Sequence, residues 1–308
     1  MNRNWRIAKR AGQFLLVSLL LLAGIMSWNC WKLSSRQLTV APIPILKLDD
    51  KILAERLQGA IRLATISTEM SRLTKDSELH RFGDYLESQF PTLHNAPWIR
   101  RTGKDFGDEL NPSLLFEWPG RKPDLDAILL MSHFDVVPIE SNSLAEWTHS
   151  PFSGDIDDSF IWGRGTLDCK HGVMAIMEAV NLLVINGFQP ERTIYLAFGH
   201  DEELGGAEGN KKMADWLRSH GKRLYMILDE GGCILTEFPG LARPAALVGV
   251  AEKGILNVAL SVDVAADQVG HGSMPPPKTA VGILASAVHQ VQNNPFPMRL
   301  DGGIRETL

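Results

Sequence analysis

Three short apolar runs between residues 127 and 232 each end in a histidine or a carboxylate. The first, Ala127-Ile128-Leu129-Leu130-Met131, leads into Ser132-His133-Phe134-Asp135. The second, residues 193–198, leads into Gly199-His200-Asp201-Glu202-Glu203, and the third, residues 224–228, into Asp229-Glu230-Gly231-Gly232. Each has the length of a buried strand. Between the first two, Trp162-Gly163-Arg164-Gly165-Thr166-Leu167-Asp168-Cys169-Lys170 opens a helical segment over residues 172–183, with Val173, Ile176, Met177, Val180 and Leu183 on one face. Asn186-Gly187 stops it, and a second helix over residues 209–219 ends at Gly221. Strands alternating with helices predict an α/β fold, a mostly parallel sheet with helices on both faces. Such sheets bind ligands at the carboxyl ends of their strands, where these polar residues stand.

The flanking pattern adds elements on either side. Residues 49–65 space Ile52, Leu53, Leu57, Ile61 and Leu63 at helical intervals, and residues 78–90 do so with Leu79, Phe82, Tyr85 and Leu86 until Pro91. Residues 114–118 predict a strand, followed by a Pro119-Gly120 turn. Residues 146–158 are rich in turn formers, and a loop of that length in a compact domain is usually functional. After about Val248 the texture changes: residues 257–264 alternate like a strand with one exposed face, Gly270-His271-Gly272-Ser273 and three prolines form a loop, and residues 280–291 read as a helix. The expected division is an N-terminal segment (1–33), a catalytic domain (34–247) and the start of an inserted α+β lid or dimerisation domain (248–308).

The N-terminus departs most from the average. Arg3, Arg6, Lys9 and Arg10 precede an apolar stretch over residues 14–28, broken only by Ser18, Gly24 and Ser27. That describes a secretory signal or a membrane anchor. Residues 11–31 would give about 30 Å of helix, enough to cross the hydrocarbon. Bulky Trp28 and Trp31 occupy the region where a cleavage site belongs, which favours an uncleaved transmembrane anchor. The basic flank predicts a cytoplasmic N-terminus with the rest of the chain outside, membrane-anchored or secreted. Residues 34–46, with two prolines, read as a tether.

Composition narrows the chemistry. A net charge of -5, with no Lys/Arg cluster outside the first ten residues, argues against a nucleic-acid partner. Cys30, Cys169 and Cys233 are too few and scattered for a disulfide framework, and the last two are expected as small buried groups rather than ligands. His133, Asp168, Glu203 and Asp229 make a nitrogen and oxygen donor set that suits zinc or another borderline divalent metal. Three carboxylates packed without a cation would repel, and two divalent ions balance them with room for one hydroxide. Asp135 is placed to take the other ring N–H of His133. Glu202 and Glu203 diverge in an extended segment, so one can hold metal while the other faces water as a general base. Alone, each residue also has a plainer reading, His133 as a satisfied histidine and the carboxylates as caps or a solvated turn. Their conjunction at one sheet edge favours the site.

The segments Ser132-His133-Phe134-Asp135-Val136-Val137-Pro138, residues 162–170 as written above, and Asp201-Glu202-Glu203-Leu204-Gly205-Gly206 together resemble the dinuclear zinc aminoacylase and carboxypeptidase metallopeptidases. The likeness is strongest to carboxypeptidase S and the secreted N-fatty-acyl-amino-acid synthase/hydrolases. It implies two zinc ions per complete active site, with His133 and Asp229 on one, Glu203 on the other and Asp168 bridging. It also implies that Asp135 orients His133, that Glu202 is the catalytic base, and that the Asp168-Cys169 peptide is cis. His271 would be an oxyanion stabiliser of the lid, although a loop histidine is an equal reading and Gly272 stands where the family usually has serine.

The family's last ligand is a histidine in a catalytic segment following the lid. Neither His271 nor His289 fills that place, so the catalytic domain is expected to be incomplete and its second metal weakly held. The function implied is hydrolysis of an amide bond beside a free carboxylate in a small peptide or N-acyl amino acid, with homodimers through the lid. The alternative is a non-catalytic metal- or peptide-binding relative. Gly163-Arg164-Gly165 lacks the third glycine and preceding strand of a dinucleotide loop, and no Gly-x-Ser-x-Gly elbow occurs.

Overall fold

A computed structural model describes residues 3–32, 41, 47–68, 73–92, 98–237, 243–249, 251, 254–264, 273 and 275–299. The chain divides into two compact units, Met1–Asp49 and Asp50–Leu308. Among its described residues the first holds one helix, α1 (Arg3–Lys32), in which Lys9–Lys32 is long and apolar enough to cross a membrane. At 1.5 Å per residue that stretch spans about 36 Å. The expected tether lies almost wholly outside the described residues.

The second unit runs α2 (Asp50–Ile61), α3 (Glu78–Gln89), β1 (Ile99–Arg101), β2 (Leu114–Trp118), β3 (Ala127–His133), α4 (Lys170–Ile185), β4 (Ile194–Gly199), α5 (Asn210–Ser219) and β5 (Leu224–Leu228). The five strands form one sheet in the order β1-β2-β4-β3-β5. A mostly parallel sheet was expected, and the sheet is mixed. β3 pairs parallel with β4 and β5, whereas β2 is antiparallel to both β1 and β4. The short link over residues 119–126 explains the reversal, because a parallel crossover needs about a dozen residues or more.

Helices cover both faces. On one, Leu114, Phe116 and Trp118 of β2 and Leu196 and Phe198 of β4 pack with Phe82 and Leu86 of α3 and Val173, Met177 and Val180 of α4. On the other, Leu115, Leu129, Tyr195 and Ala197 meet Met213, Trp216 and Leu217 of α5. Both faces of β2 are therefore buried, and its run of apolar residues is interrupted only by the buried Glu117. The crossovers through α4 and α5 step in opposite directions across the sheet and place their helices on opposite faces, as right-handed connections require.

Lys170 joins two of these helices. Its side chain is wholly buried, and Nζ donates to the carbonyls of Ala60 (3.0 Å) and Leu63 (2.6 Å) at the end of α2, satisfying acceptors that a helix terminus leaves open. Burial, opposed by Glu78 and Asp135, pulls its pKa down to about 7.

Four expectations are corrected. In α4, Met174 is buried while Leu183 is 36% exposed, so the buried stripe is rotated from the one assigned. The third apolar run is not a buried strand: β5 is the last strand of the sheet, and Tyr225, Met226, Ile227 and Leu228 are exposed. Residues 257–264 pair with nothing among the described residues and form no strand, since alternation becomes a strand only where a neighbour accepts its hydrogen bonds. Cys233 is exposed because it sits in a two-stranded hairpin, β6 (Cys233–Leu235) with β7 (Ala245–Leu247), rather than in the main sheet. The helix over residues 280–291 is present as α6 (Ala280–Asn293), capped by Thr279 accepting from the Gly282 amide. Residues 270–272, with His271, lie outside the described residues.

Candidate metal centre

The parallel ladder between β3 and β4 sets their carboxyl ends side by side, and the Phe134 amide extends it by donating to the Gly199 carbonyl at 3.0 Å. His133 closes β3 with its ring buried. Its Nδ1 lies 3.1 Å from the Asp135 carbonyl oxygen and 3.2 Å from Asp135 Oδ1. The wholly buried Asp135 carboxylate also accepts from the backbone amides of Glu202 (3.1 Å) and Glu203 (3.2 Å). One side chain thus sets the histidine ring and the turn that carries both glutamates.

That turn is a correction to the extended segment expected. Glu202–Leu204 is one turn of 3-10 helix, because two consecutive amides converge on one carboxylate. Successive side chains in such a turn still diverge. Gly205, at φ 89°, ends it in a conformation that a residue with a Cβ adopts at a cost. Behind it, buried Asp201 accepts from the amides of Glu208 (2.7 Å) and Gly209 (2.9 Å), fastening the loop to the start of α5.

Nε2 of His133 faces a ring of carboxylates: Asp168 Oδ1 at 2.9 Å, Glu230 Oε2 at 3.2 Å and Glu202 Oε2 at 3.8 Å. Asp168 arrives on the loop before α4, followed by a cis peptide to Cys169. Potential ligand atoms of His133, Asp168 and Glu203 lie within 4.8 Å of one another, and so do those of His133, Cys169 and Glu230. Asp229 belongs to neither group, and its carboxylate accepts from the Glu230 amide at 2.9 Å. Glu230 is the residue that reasoning from the sequence missed. The adjacent pair Asp229-Glu230 was visible, but which of two neighbours turns inward depends on the turn that follows.

Charge explains what the centre needs. Burial works against a charged His133, yet the Asp135 hydrogen bond, with Glu230 and Glu202, pushes its pKa up to about 9. Burial raises the pKa of Glu202, with Glu230 and Glu203 adding to it against His133. Burial and then Asp168 raise that of Glu203. Burial and Glu230 push the Cys169 thiol up to about 12. Among the described residues no Lys or Arg pairs with Asp168, Glu202, Glu203 or Glu230. Carboxylates gathered around one imidazole, with no other cation, form a donor set that fits a divalent metal ion.

Residues 129–304, more than half of the chain, match peptidase family M20/M25/M40. The chain belongs to that family. This family is metal-dependent, typically through zinc. The chain is 43% identical over 253 residues to a probable carboxypeptidase S-like 2 of Dictyostelium discoideum, covering 80% of this chain and 46% of that protein. It is 39% identical over 250 residues to an N-fatty-acyl-amino acid synthase/hydrolase of Bos taurus, covering 81% and 47%. Carboxypeptidase S of Saccharomyces cerevisiae is 36% identical over 254 residues, covering 79% and 42%. The chain therefore spans about half the length of the curated relatives it matches.

Proposed function

We propose that this M20/M25/M40 chain acts in a zinc-dependent hydrolase that cleaves an amide bond beside a free carboxylate, in a small peptide or an N-acyl amino acid. The observation that carries the reading is the convergence of His133, Asp168 and Glu203, with Glu202 Oε2 at 3.8 Å from His133 Nε2 and its side chain 44% exposed. The relatives support the substrate class, since carboxypeptidases and N-fatty-acyl-amino acid hydrolases both act on an amide that neighbours a carboxylate. His133, Asp168 and Glu203 hold metal in this reading, with Asp229 as the fourth ligand implied by the family pattern and two zinc ions in the complete centre.

Zinc, when bound, polarises the amide carbonyl and makes water more acidic. Glu202 takes a proton from the water as its oxygen adds to the carbonyl carbon. When the C–N bond breaks, Glu202 passes that proton to the leaving nitrogen, giving a carboxylic acid and an amine. Asp135 holds His133 in one tautomer, and His271 steadies the oxyanion. Glu202→Gln is expected to lower hydrolysis of a dipeptide and N-acyl amino acid panel by roughly 10²–10⁴-fold with metal content unchanged. Turnover at the parent rate would show that another group is the base.

The same reading takes residues 34–247 as the catalytic domain and residues 248–308 as the start of a lid through which two copies pair. It takes α1 as an anchor or signal that places the catalytic domain outside the cytoplasm. Deleting residues 1–32 should then abolish retention in an alkali-washed membrane fraction, if α1 is an uncleaved anchor. Equal retention with and without them would remove the anchor from the proposal.

A further inference from the structure

Residues 146–158, a turn-rich stretch of the kind that is usually functional, contribute nothing to the ligand groups at His133. They do border a cavity of about 360 Å³, whose lining includes Glu146, Trp147, His149, Trp162 and Gly163. Sites for small organic molecules begin at roughly 300 Å³. Arg164, next to Gly163, stands on the loop that continues to Asp168.

The walls of this cavity are aromatic and held in place. The His149 and Trp162 rings stack with their centres 4.6 Å apart. Each is tethered at its polar edge: His149 Nδ1 lies 2.9 Å from Asp155 Oδ2, and Trp162 Nε1 donates to Asp157 Oδ2 at 2.7 Å. Ring surface is what they have left to offer a ligand. Trp147 also lines the cavity, and the Arg164 guanidinium carbon lies 5.4 Å from its ring centre. The Arg164 amide donates to the Pro151 carbonyl at 2.7 Å, which fixes the loop. Its Nε, by contrast, is buried with no acceptor, and among the described residues the guanidinium pairs with no carboxylate. A buried donor without a partner is costly, and a guanidinium takes a carboxylate through two parallel hydrogen bonds. Flat walls beside an unpaired guanidinium match a planar ring attached to a carboxylate. Glu146 argues for the opposite ligand, an organic cation on the aromatic faces. Arg164 already fills that role at Trp147, which decides for the anion.

We propose that this cavity binds an N-acylated aromatic amino acid, with its ring against Trp147, His149 and Trp162 and its free carboxylate on Arg164. The ligand class coincides with the carboxylate end of the substrates proposed above. Its connection to turnover rests on that reading; the binding itself requires neither metal nor hydrolysis.

The test is calorimetric titration of the metal-free full chain with N-acetylphenylalanine, N-acetylleucine and phenethylamine. N-acetylphenylalanine is expected to bind most tightly, ahead of N-acetylleucine by about threefold to tenfold, the range that aromatic contacts supply beyond their area. Arg164→Gln should weaken it on the order of tenfold or more, as loss of a charge-assisted hydrogen bond does, and Trp162→Leu should remove the preference for the aromatic ring. Because the ranking of the three ligands by the parent is decisive, a variant that misfolds does not blunt the test. Equal binding of the two acids, tighter binding of phenethylamine, or no binding of any of the three would overturn the proposal. So would N-acetylphenylalanine binding that is unchanged in both variants, since it would then lie elsewhere. Absence of this binding in a chain that hydrolyses N-acyl amino acids once zinc is restored would remove the cavity alone, whereas the expected ranking without hydrolysis would remove only the proposed activity.

Discussion

At the scale of single residues, Asp135 carries more of the site than its distance from the chemistry suggests. Its carboxylate faces the His133 ring and receives the amides of Glu202 and Glu203, so the histidine and the two glutamates share one reference point. Asp135→Asn keeps one oxygen acceptor and replaces the other with a donor that cannot serve the second amide. Zinc affinity measured by chelator competition should drop about 10–100-fold, as for other groups that orient a metal-bound histidine. Unchanged affinity would show that ring orientation does not depend on this carboxylate. Most residues of the cluster were legible in the sequence, because each ends an apolar run or precedes a helix. The contest between Asp229 and Glu230 was not. Glu230 Oε2 comes to 3.2 Å from His133 Nε2 just before Gly231 and Gly232, whose φ angles of 103° and 74° turn the backbone in a way that spacing along a strand does not report.

At the scale of elements, the loop carrying Asp168 is held from behind by Lys170. Nζ reaches two carbonyls at the end of α2, and Phe82 of α3 lies 5.7 Å below it, so three helices meet at one ammonium group. Lys170→Met fills the space but leaves both carbonyls without their donor. The expected loss is about 1–3 kcal/mol for each acceptor left buried and unpaired, read as a lowered urea midpoint. A variant as stable as the parent would mean that water reaches these carbonyls. Helices α2, α3, α4 and α5 were legible because apolar spacing, Pro91, Asn186-Gly187 and Gly221 mark their extents. The environment of β5 was not, since Leu224 to Leu228 has the composition of a buried strand whether or not anything covers it.

At the scale of the whole second unit, a further charged cluster lies on the sheet face that packs against α5. Glu117 of β2 accepts from Arg101 Nη2 (2.9 Å), the Tyr195 hydroxyl (3.2 Å) and Lys222 Nζ (3.4 Å), and the Arg101 guanidinium lies 4.0 Å over the Trp216 ring. Burial alone would raise the pKa of Glu117, but Arg101 and Lys222 outweigh it and hold the carboxyl below its usual range. A depressed folded value means that the stabilisation is present above the ordinary glutamate pKa and is lost as pH falls through the folded one. Glu117→Gln should therefore flatten the decline in urea stability between pH 7 and about pH 3. An unaltered decline would assign the acid sensitivity to other carboxylates.

The sequence by itself determined the kind of chemistry and the elements that deliver it, because apolar periodicity and ligand-type residues at strand ends are local properties. Only the tertiary structure decided that β2 runs against its neighbours, that β5 stands at an edge, and that Glu230 comes within 3.2 Å of His133. Those outcomes depend on which segments become neighbours across the sheet. Separations of a few ångströms between residues far apart in the chain are set by packing and turn geometry, to which the order of residues along one segment is blind.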